Sequence, residues 1–133
     1  MLRAPMSKLL LVCAGGAIGS GARYLMGTWV AATWGTGFPW GTLAINATGS
    51  FLISVVMYLG LEVGMVGPDL RLFLAVGVLG GFTTYSSFNH ETLSLAQRGH
   101  WGLAAAYVAA TLVVAWVAGV AGILVAQLAA SGA

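Results

Sequence analysis

A short segment just past the middle of the chain concentrates the residue types that could bind an ion. It reads GVLGGFTTYSSFNHE, in which two adjacent glycines precede four hydroxyl side chains, at Thr83, Thr84, Ser86 and Ser87. Because glycine is a poor helix former and serine and threonine can hydrogen-bond to nearby backbone, a helix is readily interrupted here. Carbonyl groups freed by an interruption can bind a hard cation, and the N-terminus of the next helix can bind an anion. The alternative is an intact helix whose hydroxyls bond to its own carbonyls.

A second set of polar residues recurs every four positions in the preceding apolar stretch. At 3.6 residues per turn they form one stripe along a helix, made of Thr42, Asn46, Ser50 and Ser54. An amide in the apolar centre of a membrane must find partners, so Asn46 marks either a helix contact or a wet path. The sequence leaves both interpretations open. Tyr107 and Thr111 share a face of the last stretch in the same way.

The chemistry of these side chains favours an anion. The three acidic residues, Glu62, Asp69 and Glu91, lie at or near the ends of the apolar stretches. A cation or proton carrier normally keeps an acid within the membrane, whereas hydroxyl and amide groups can donate to an anion. Tyr85 and Phe88 lie in the hydroxyl-rich segment, and their positive ring edges could also face an anion, although core packing is the commoner use of such rings.

Arg23 is the one charged residue well inside an apolar stretch. It follows Lys8 by 15 residues, about 22 Å along a helix, which is past the middle of a core about 30 Å thick. Its side chain could extend to the far interface, or it could attract an anion into a vestibule.

The composition shows what must position these residues. Of 133 residues, 59% are hydrophobic and 6% are charged, whereas soluble domains are about 25% charged. A spanning helix needs roughly 20 apolar residues. We therefore predict one all-α transmembrane domain over residues 1–133, with spans at 9–30, 40–61, 70–95 and 101–128. The N-terminal MLRAPMSK is interpreted as the start of a retained first span.

This layout leaves no room for a soluble catalytic domain, so we do not expect an enzyme. The chain has no triad-like nucleophile and base, no phosphate loop that would indicate a nucleotide, and no basic motif for nucleic acid. A single cysteine, Cys13, excludes an intrachain disulfide. Small residues at intervals of four favour close helix packing in lipid. Three glycine pairs have that spacing, namely Gly15 and Gly19, Gly60 and Gly64, and Gly77 and Gly81.

The basic residues are nearly balanced across the predicted membrane. Four spans place Arg3, Lys8 and Arg71 on one side, and Arg23 and Arg98 on the other. Such a small bias permits insertion in both orientations and hence an antiparallel homodimer. The alternative is a single orientation decided by one loop residue.

Three motifs in order, GGAIGSGARY, WGTLAINATGSF and GVLGGFTTYSSFNHET, resemble the signatures of the Fluc fluoride channels, also called CrcB. The resemblance covers all four spans. It implies a dual-topology, antiparallel homodimer in the cytoplasmic (inner) membrane of a bacterium, where fluoride leaves the cell passively. It also implies a broken third helix that holds a structural Na⁺ at the dimer centre, through backbone carbonyls that match Gly80 and Thr83.

The resemblance also assigns the anion pore. The matching positions are Asn46, Thr42, Tyr85, Phe88, Ser86, Ser87, Tyr107, Thr111 and Arg23, and the family's glutamate falls on Glu91. Two positions depart from the pattern. The family usually has phenylalanine at Tyr85, and Ala115 offers no hydroxyl beyond Thr111.

Two other functions stay open from the residues alone. A four-span exporter of the small multidrug resistance type is similarly short, but that class needs an acid within its first helix, where this chain has Arg23. A membrane scaffold subunit without transport activity would use the polar stripes as interhelical hydrogen bonds. Ion flux through the isolated protein separates a channel from both.

Overall fold

A computed structural model describes residues 3–132, so Met1, Leu2 and Ala133 of the predicted domain lie outside the described residues, as does the side chain of Arg3. The helices are α1 (Arg3–Trp34), α2 (Trp40–Leu61), α3 (residues 68–82), α4 (Tyr85–Gln97) and α5 (Trp101–Ser131). Three helical stretches are long and apolar enough to cross a membrane, at Pro5–Trp34, Trp40–Leu61 and Trp101–Ser131. The predicted all-α membrane protein is confirmed at this level.

The first and last helices are longer than the spans predicted from hydrophobicity. Helices α1 and α5 contain 32 and 31 residues, or about 47 Å at 1.5 Å per residue, against a hydrocarbon core of about 30 Å. Hydrophobicity marks only the part of a helix that lies in lipid. Helix α2 has the bounds predicted for the second span.

The predicted third span, 70–95, consists of two helices. Helix α3 starts with Pro68–Arg71, continues with π-type hydrogen bonding over Leu72–Leu79, and ends with Gly80–Phe82. Thr83 and Thr84 are then extended, with ψ of 157° and 113°. Helix α4 begins at Tyr85, so the dense hydroxyl segment coincides with the interruption.

Two of the three predicted glycine pairs bring α1 and α3 into backbone contact. A Cβ atom at Gly19 would overlap the Val78 carbonyl oxygen, and one at Gly77 would lie 3.0 Å from the Cα of Gly15. The prediction for Gly60 and Gly64 is wrong because α2 ends at Leu61. Gly64 lies in the following turn with φ of +77°, where glycine avoids the strain that a Cβ would impose.

Helix α2 packs along α5, and α4 packs against the first turns of α5. The contact of α4 with α2 and α5 is a small core of Leu43, Phe88 and Tyr107. Much of the outer surface is apolar, and Leu10, Trp116 and Leu128 are among its exposed side chains. So large an apolar surface requires lipid or another protein chain to cover it.

Candidate functional site

Asn46 of α2 holds the interruption between α3 and α4. Its Nδ2 donates to the Thr84 carbonyl oxygen at 3.1 Å, and its Oδ1 accepts from the Thr84 N–H at 2.9 Å. In an uninterrupted helix the Thr84 N–H would donate to the carbonyl of Gly80. The amide of Asn46 thus makes a helix contact, which is one of the two roles that the sequence left open.

The side chain of Thr84 caps α4. Its Oγ1 accepts from the Ser87 N–H at 3.2 Å, donates to the Ser87 hydroxyl at 3.0 Å and lies 3.3 Å from the Ser86 hydroxyl. A threonine in this role stabilises a helix start by about 1 kcal/mol. Thr84, Ser86 and Ser87 of the hydroxyl cluster therefore form the N-terminal cap of the second half-helix, whereas the Thr83 hydroxyl donates to the Leu79 carbonyl at 2.9 Å.

The carbonyl oxygens of Gly80 and Thr83 have lost their regular helical donors. The N–H groups that would reach them, those of Thr84 and Ser87, bond instead to Asn46 and to the Thr84 hydroxyl. Within residues 3–132, no group of three or more histidine, cysteine or acidic side chains could bind a metal. Backbone oxygens of this kind suit a hard cation, so the donor set fits the ion that the resemblance implies. The guanidinium of Arg23 also lies near the Thr83 carbonyl, at 3.5 Å.

An outer cavity of about 500 Å³ lies between α1, α2 and α4. Its polar lining includes Arg23, Thr42, Thr84, Ser87 and Glu91. Arg23 thus lies on this cavity, beside the interruption.

The carboxylate of Glu91 joins three helices at this cavity. Its Oε1 accepts from the Thr42 hydroxyl at 2.8 Å and its Oε2 from the Tyr107 hydroxyl at 2.6 Å. The sequence placed Glu91 near the end of a span and assigned it no contact. The sequence held part of the signal for these contacts, because it places Thr42 and Tyr107 near the starts of their helices. Only the structure shows that those helix starts meet the end of α4.

An inner cavity of about 350 Å³ lies on the other side of the Asn46–Thr84 pair. Its lining includes Asn46, Thr83, Thr84, Tyr85, Phe88 and Thr111. Over residues 3–132, no carboxylate is part of this lining. The polar groups of the inner cavity are therefore amide and hydroxyl groups, beside aromatic rings and aliphatic side chains such as Leu79 and Leu112.

Thr111 and Tyr85 each carry a hydroxyl without a partner at the inner cavity. The Thr111 Oγ1 is buried and makes no hydrogen bond within the described residues, and the whole residue is only 7% exposed. Tyr85 is 77% exposed and its ring lies 5.6 Å from that of the buried Phe88. A buried hydroxyl without a partner costs free energy, so the Thr111 hydroxyl is available to donate a hydrogen bond at this cavity.

The structure thus sorts the predicted pore residues into two cavities that share Thr84. Three predicted residues lie elsewhere. Ser86 is exposed and contacts the Thr84 hydroxyl, Tyr107 is fully buried against Phe88 and Glu91, and Gly80 faces the protein surface. The sequence identified these residues as polar or flexible candidates for the site. Their positions outside the cavities depend on how the helices pack, including α4 on α5.

Comparison with known proteins agrees with the motifs. A family model described as CrcB-like protein, Camphor Resistance (CrcB), matches residues 10–123. The "Fluoride-specific ion channel FluC" of Anaeromyxobacter sp. (strain K) is 54% identical over 126 residues, covering 86% of this chain and all of that protein. A protein of that name from Thermus thermophilus is 53% identical, covering 80% and 84% of the two chains. The one from Agrobacterium fabrum is 50% identical, covering 89% and 94%. With residues 10–123 matched by the family model and relatives that are 50 to 54% identical over most of its length, this chain belongs to the CrcB family.

Proposed function

We propose that this protein is a fluoride-selective channel that lets fluoride leave the bacterial cytoplasm passively across the inner membrane. The observation that carries the proposal is the pair of donor-lined cavities that share Thr84, the residue that Asn46 holds. Relatives at 50 to 54% identity are named fluoride-specific ion channels. The family is one of channels, which excludes an enzyme and a multidrug exporter.

The lining explains how a small anion is favoured. Fluoride gives up part of its hydration shell in a narrow path and must receive hydrogen bonds in return. Arg23 attracts the anion into the outer cavity, and Thr111 supplies an unpaired donor in the inner one. The ring edges of Tyr85 and Phe88 present positive potential to the same space. Cations find no acid in the inner cavity.

We propose an antiparallel homodimer as the conducting unit. Tyr85 and the backbone at Gly80 are exposed on a single chain although both belong to the predicted site. A second copy related by a two-fold axis would cover this surface and complete the inner cavity. The nearly balanced basic residues support insertion in both orientations.

Topology can be measured with one surface cysteine. In a Cys13→Ala background, Met65→Cys places a thiol on an exposed turn between α2 and α3. An impermeant thiol reagent added outside sealed vesicles is expected to label about half of the protein if both orientations coexist. Labelling of all or none of the chains would contradict the antiparallel arrangement.

We further propose that the carbonyls of Gly80 and Thr83 from both copies hold a structural Na⁺. The ion would supply fixed positive charge that ties the two interrupted helices together. Thermal unfolding of the detergent-solubilised protein should shift to lower temperature when Na⁺ is replaced by N-methylglucamine. An unchanged midpoint across Na⁺ concentrations would contradict a sodium site.

The function itself is tested by efflux from liposomes loaded with potassium fluoride, with valinomycin added to carry the counter-charge. A fluoride electrode should record rapid release from liposomes that contain the protein and little release from protein-free ones. Loading with potassium chloride and a chloride electrode provides the selectivity control. Equal chloride release would refute selectivity, and absence of fluoride release would refute the channel.

A further inference from the structure

A groove runs along the contact between α2 and α5, away from the interruption. It consists of the inner cavity, a middle cavity of about 350 Å³ and an end cavity of about 420 Å³. Ser50, Ile53 and Ala115 line both the inner and the middle cavity, and Ile53, Ser54 and Ile123 line both the middle and the end cavity. We call these three spaces together the α2–α5 groove.

Two serines of the α2 stripe face this groove with unpaired hydroxyls. Within residues 3–132, neither Ser50 nor Ser54 makes a side-chain hydrogen bond. Some hydroxyls elsewhere in the helices do bond to their own helix, since Thr28 and Thr92 each donate to the carbonyl four residues earlier at 2.8 Å. A hydroxyl that forgoes this bond in a membrane-spanning helix is available to another partner.

Helix α5 offers no hydroxyl at the level of these serines, although Trp116 also lines the middle cavity. Thr111 supplies the hydroxyl at the inner cavity, but Ala115, one turn further along, has none. Ser50 lines the same two cavities as Ala115 from the opposite side of the groove. Ser54 follows one turn later, so Asn46, Ser50 and Ser54 space polar groups over roughly 12 Å at 1.5 Å per residue.

We propose that Ser50 and Ser54 donate hydrogen bonds to the permeating anion and continue its path along the α2–α5 groove beyond Ala115. The serines of α2 take the place of the hydroxyls that α5 lacks there. A small, strongly hydrated anion needs such a donor at each step to replace lost water. This inference rests on the proposed channel function and on the second copy of the chain to cover the open side of the groove.

Ser50→Ala removes one hydroxyl donor from the groove, and the alanine is compatible with the helix. The fluoride efflux rate is expected to fall roughly tenfold to a hundredfold, the effect of one hydrogen bond to a charged group. Thr48→Ala is the matched control. Thr48 also makes no side-chain hydrogen bond in the described chain, but it lies about 200° around the helix from Ser50 and lines none of these cavities. Its efflux should stay within about twofold of wild type, below the effect of one lost hydrogen bond.

A donor placed on the opposite helix separates a direct contact from a structural role. Ala115→Ser in the Ser50→Ala background should restore most of the flux, because it returns a hydroxyl to the same two cavities. Ala118→Ser, on the same helix but outside the lining of the groove, should restore none. Ser54→Ala provides a second variant if Ser50→Ala does not fold, and it too should lower the flux.

The outcomes keep the two proposals apart. Absence of fluoride flux through the wild-type protein would overturn the channel function itself. Normal wild-type flux that both serine substitutions leave unchanged would overturn only the groove as a path. A loss of flux that Ala115→Ser fails to restore would also overturn it, because a structural role of Ser50 is not repaired from α5.

Discussion

Asn46→Asp tests whether an anion passes the asparagine that holds the helix interruption. Aspartate has nearly the same shape as asparagine. One of its oxygens can still accept from the Thr84 N–H, which in the wild-type protein lies 2.9 Å from the Asn46 Oδ1. The other oxygen replaces the Nδ2 that donates to the Thr84 carbonyl at 3.1 Å. The hydrogen bond is lost and the Thr84 carbonyl then faces a second acceptor oxygen, at a cost of about 1 to 3 kcal/mol.

The added charge outweighs that loss. The inner cavity that Asn46 lines has a volume of about 350 Å³. A sphere of that volume has a radius of about 4 Å, and two unit charges about 4 Å apart repel by about 4 kcal/mol at an effective dielectric constant of about 20. Because 1.36 kcal/mol corresponds to a factor of ten, anion occupancy should fall by roughly a thousandfold.

The assay is fluoride efflux from liposomes, with Asn46→Ala as the uncharged comparison. Asn46→Ala leaves the Thr84 N–H and carbonyl without partners, at about 1 to 3 kcal/mol each, so it measures the loss of the helix contact without an added charge. Asn46→Asp should lower the flux more strongly. Folded Asn46→Asp protein with wild-type flux would refute the reasoning and leave Asn46 as a helix contact only.

Three further predictions concern the packing of α1 on α3, the cap of α4 and the hydroxyl of Tyr85. Gly19→Ala should lower the unfolding temperature and cost at least about 2 kcal/mol, because its Cβ would overlap the α3 backbone. Gly21→Ala, with open space around it, should be neutral or stabilising. Equal effects of the two substitutions would contradict the α1–α3 contact. Thr84→Ala should destabilise by about 1 kcal/mol through loss of the bond from the Ser87 N–H, and Thr84→Ser should retain most stability in the same thermal assay. Tyr85→Phe should keep the free energy of unfolding within about 0.5 kcal/mol of wild type and leave the fluoride flux near wild type, because the exposed hydroxyl of Tyr85 makes no hydrogen bond in the described chain. A large loss of flux would show that this hydroxyl takes part in fluoride transport.

Features that depend on local spacing were readable from the amino-acid sequence. The apolar stretches predicted the helical membrane protein, and the three motifs predicted the family that comparison with known proteins identified. The spacing of Gly15 and Gly19 and of Gly77 and Gly81 predicted close helix contacts. These signals follow from helical periodicity, which places residues four apart on one face whatever the rest of the chain does.

Partners across helices were not readable in this way. The sequence could not assign Thr84 to Asn46, or Thr42 and Tyr107 to the two oxygens of Glu91. The four-residue glycine spacing correctly predicted close helix contacts for two pairs. It did not do so for Gly60 and Gly64, because Gly64 lies in a turn.

The chain's own sequence therefore determined which residues share a helix face, and only the tertiary structure decided which faces meet. The rotation of each helix about its axis depends on contacts made by residues far apart in sequence, such as Gly19 of α1 against Val78 of α3. Those contacts set the positions of the two cavities on either side of Thr84. They also leave the hydroxyls of Thr111, Ser50 and Ser54 without a hydrogen-bond partner in the described chain.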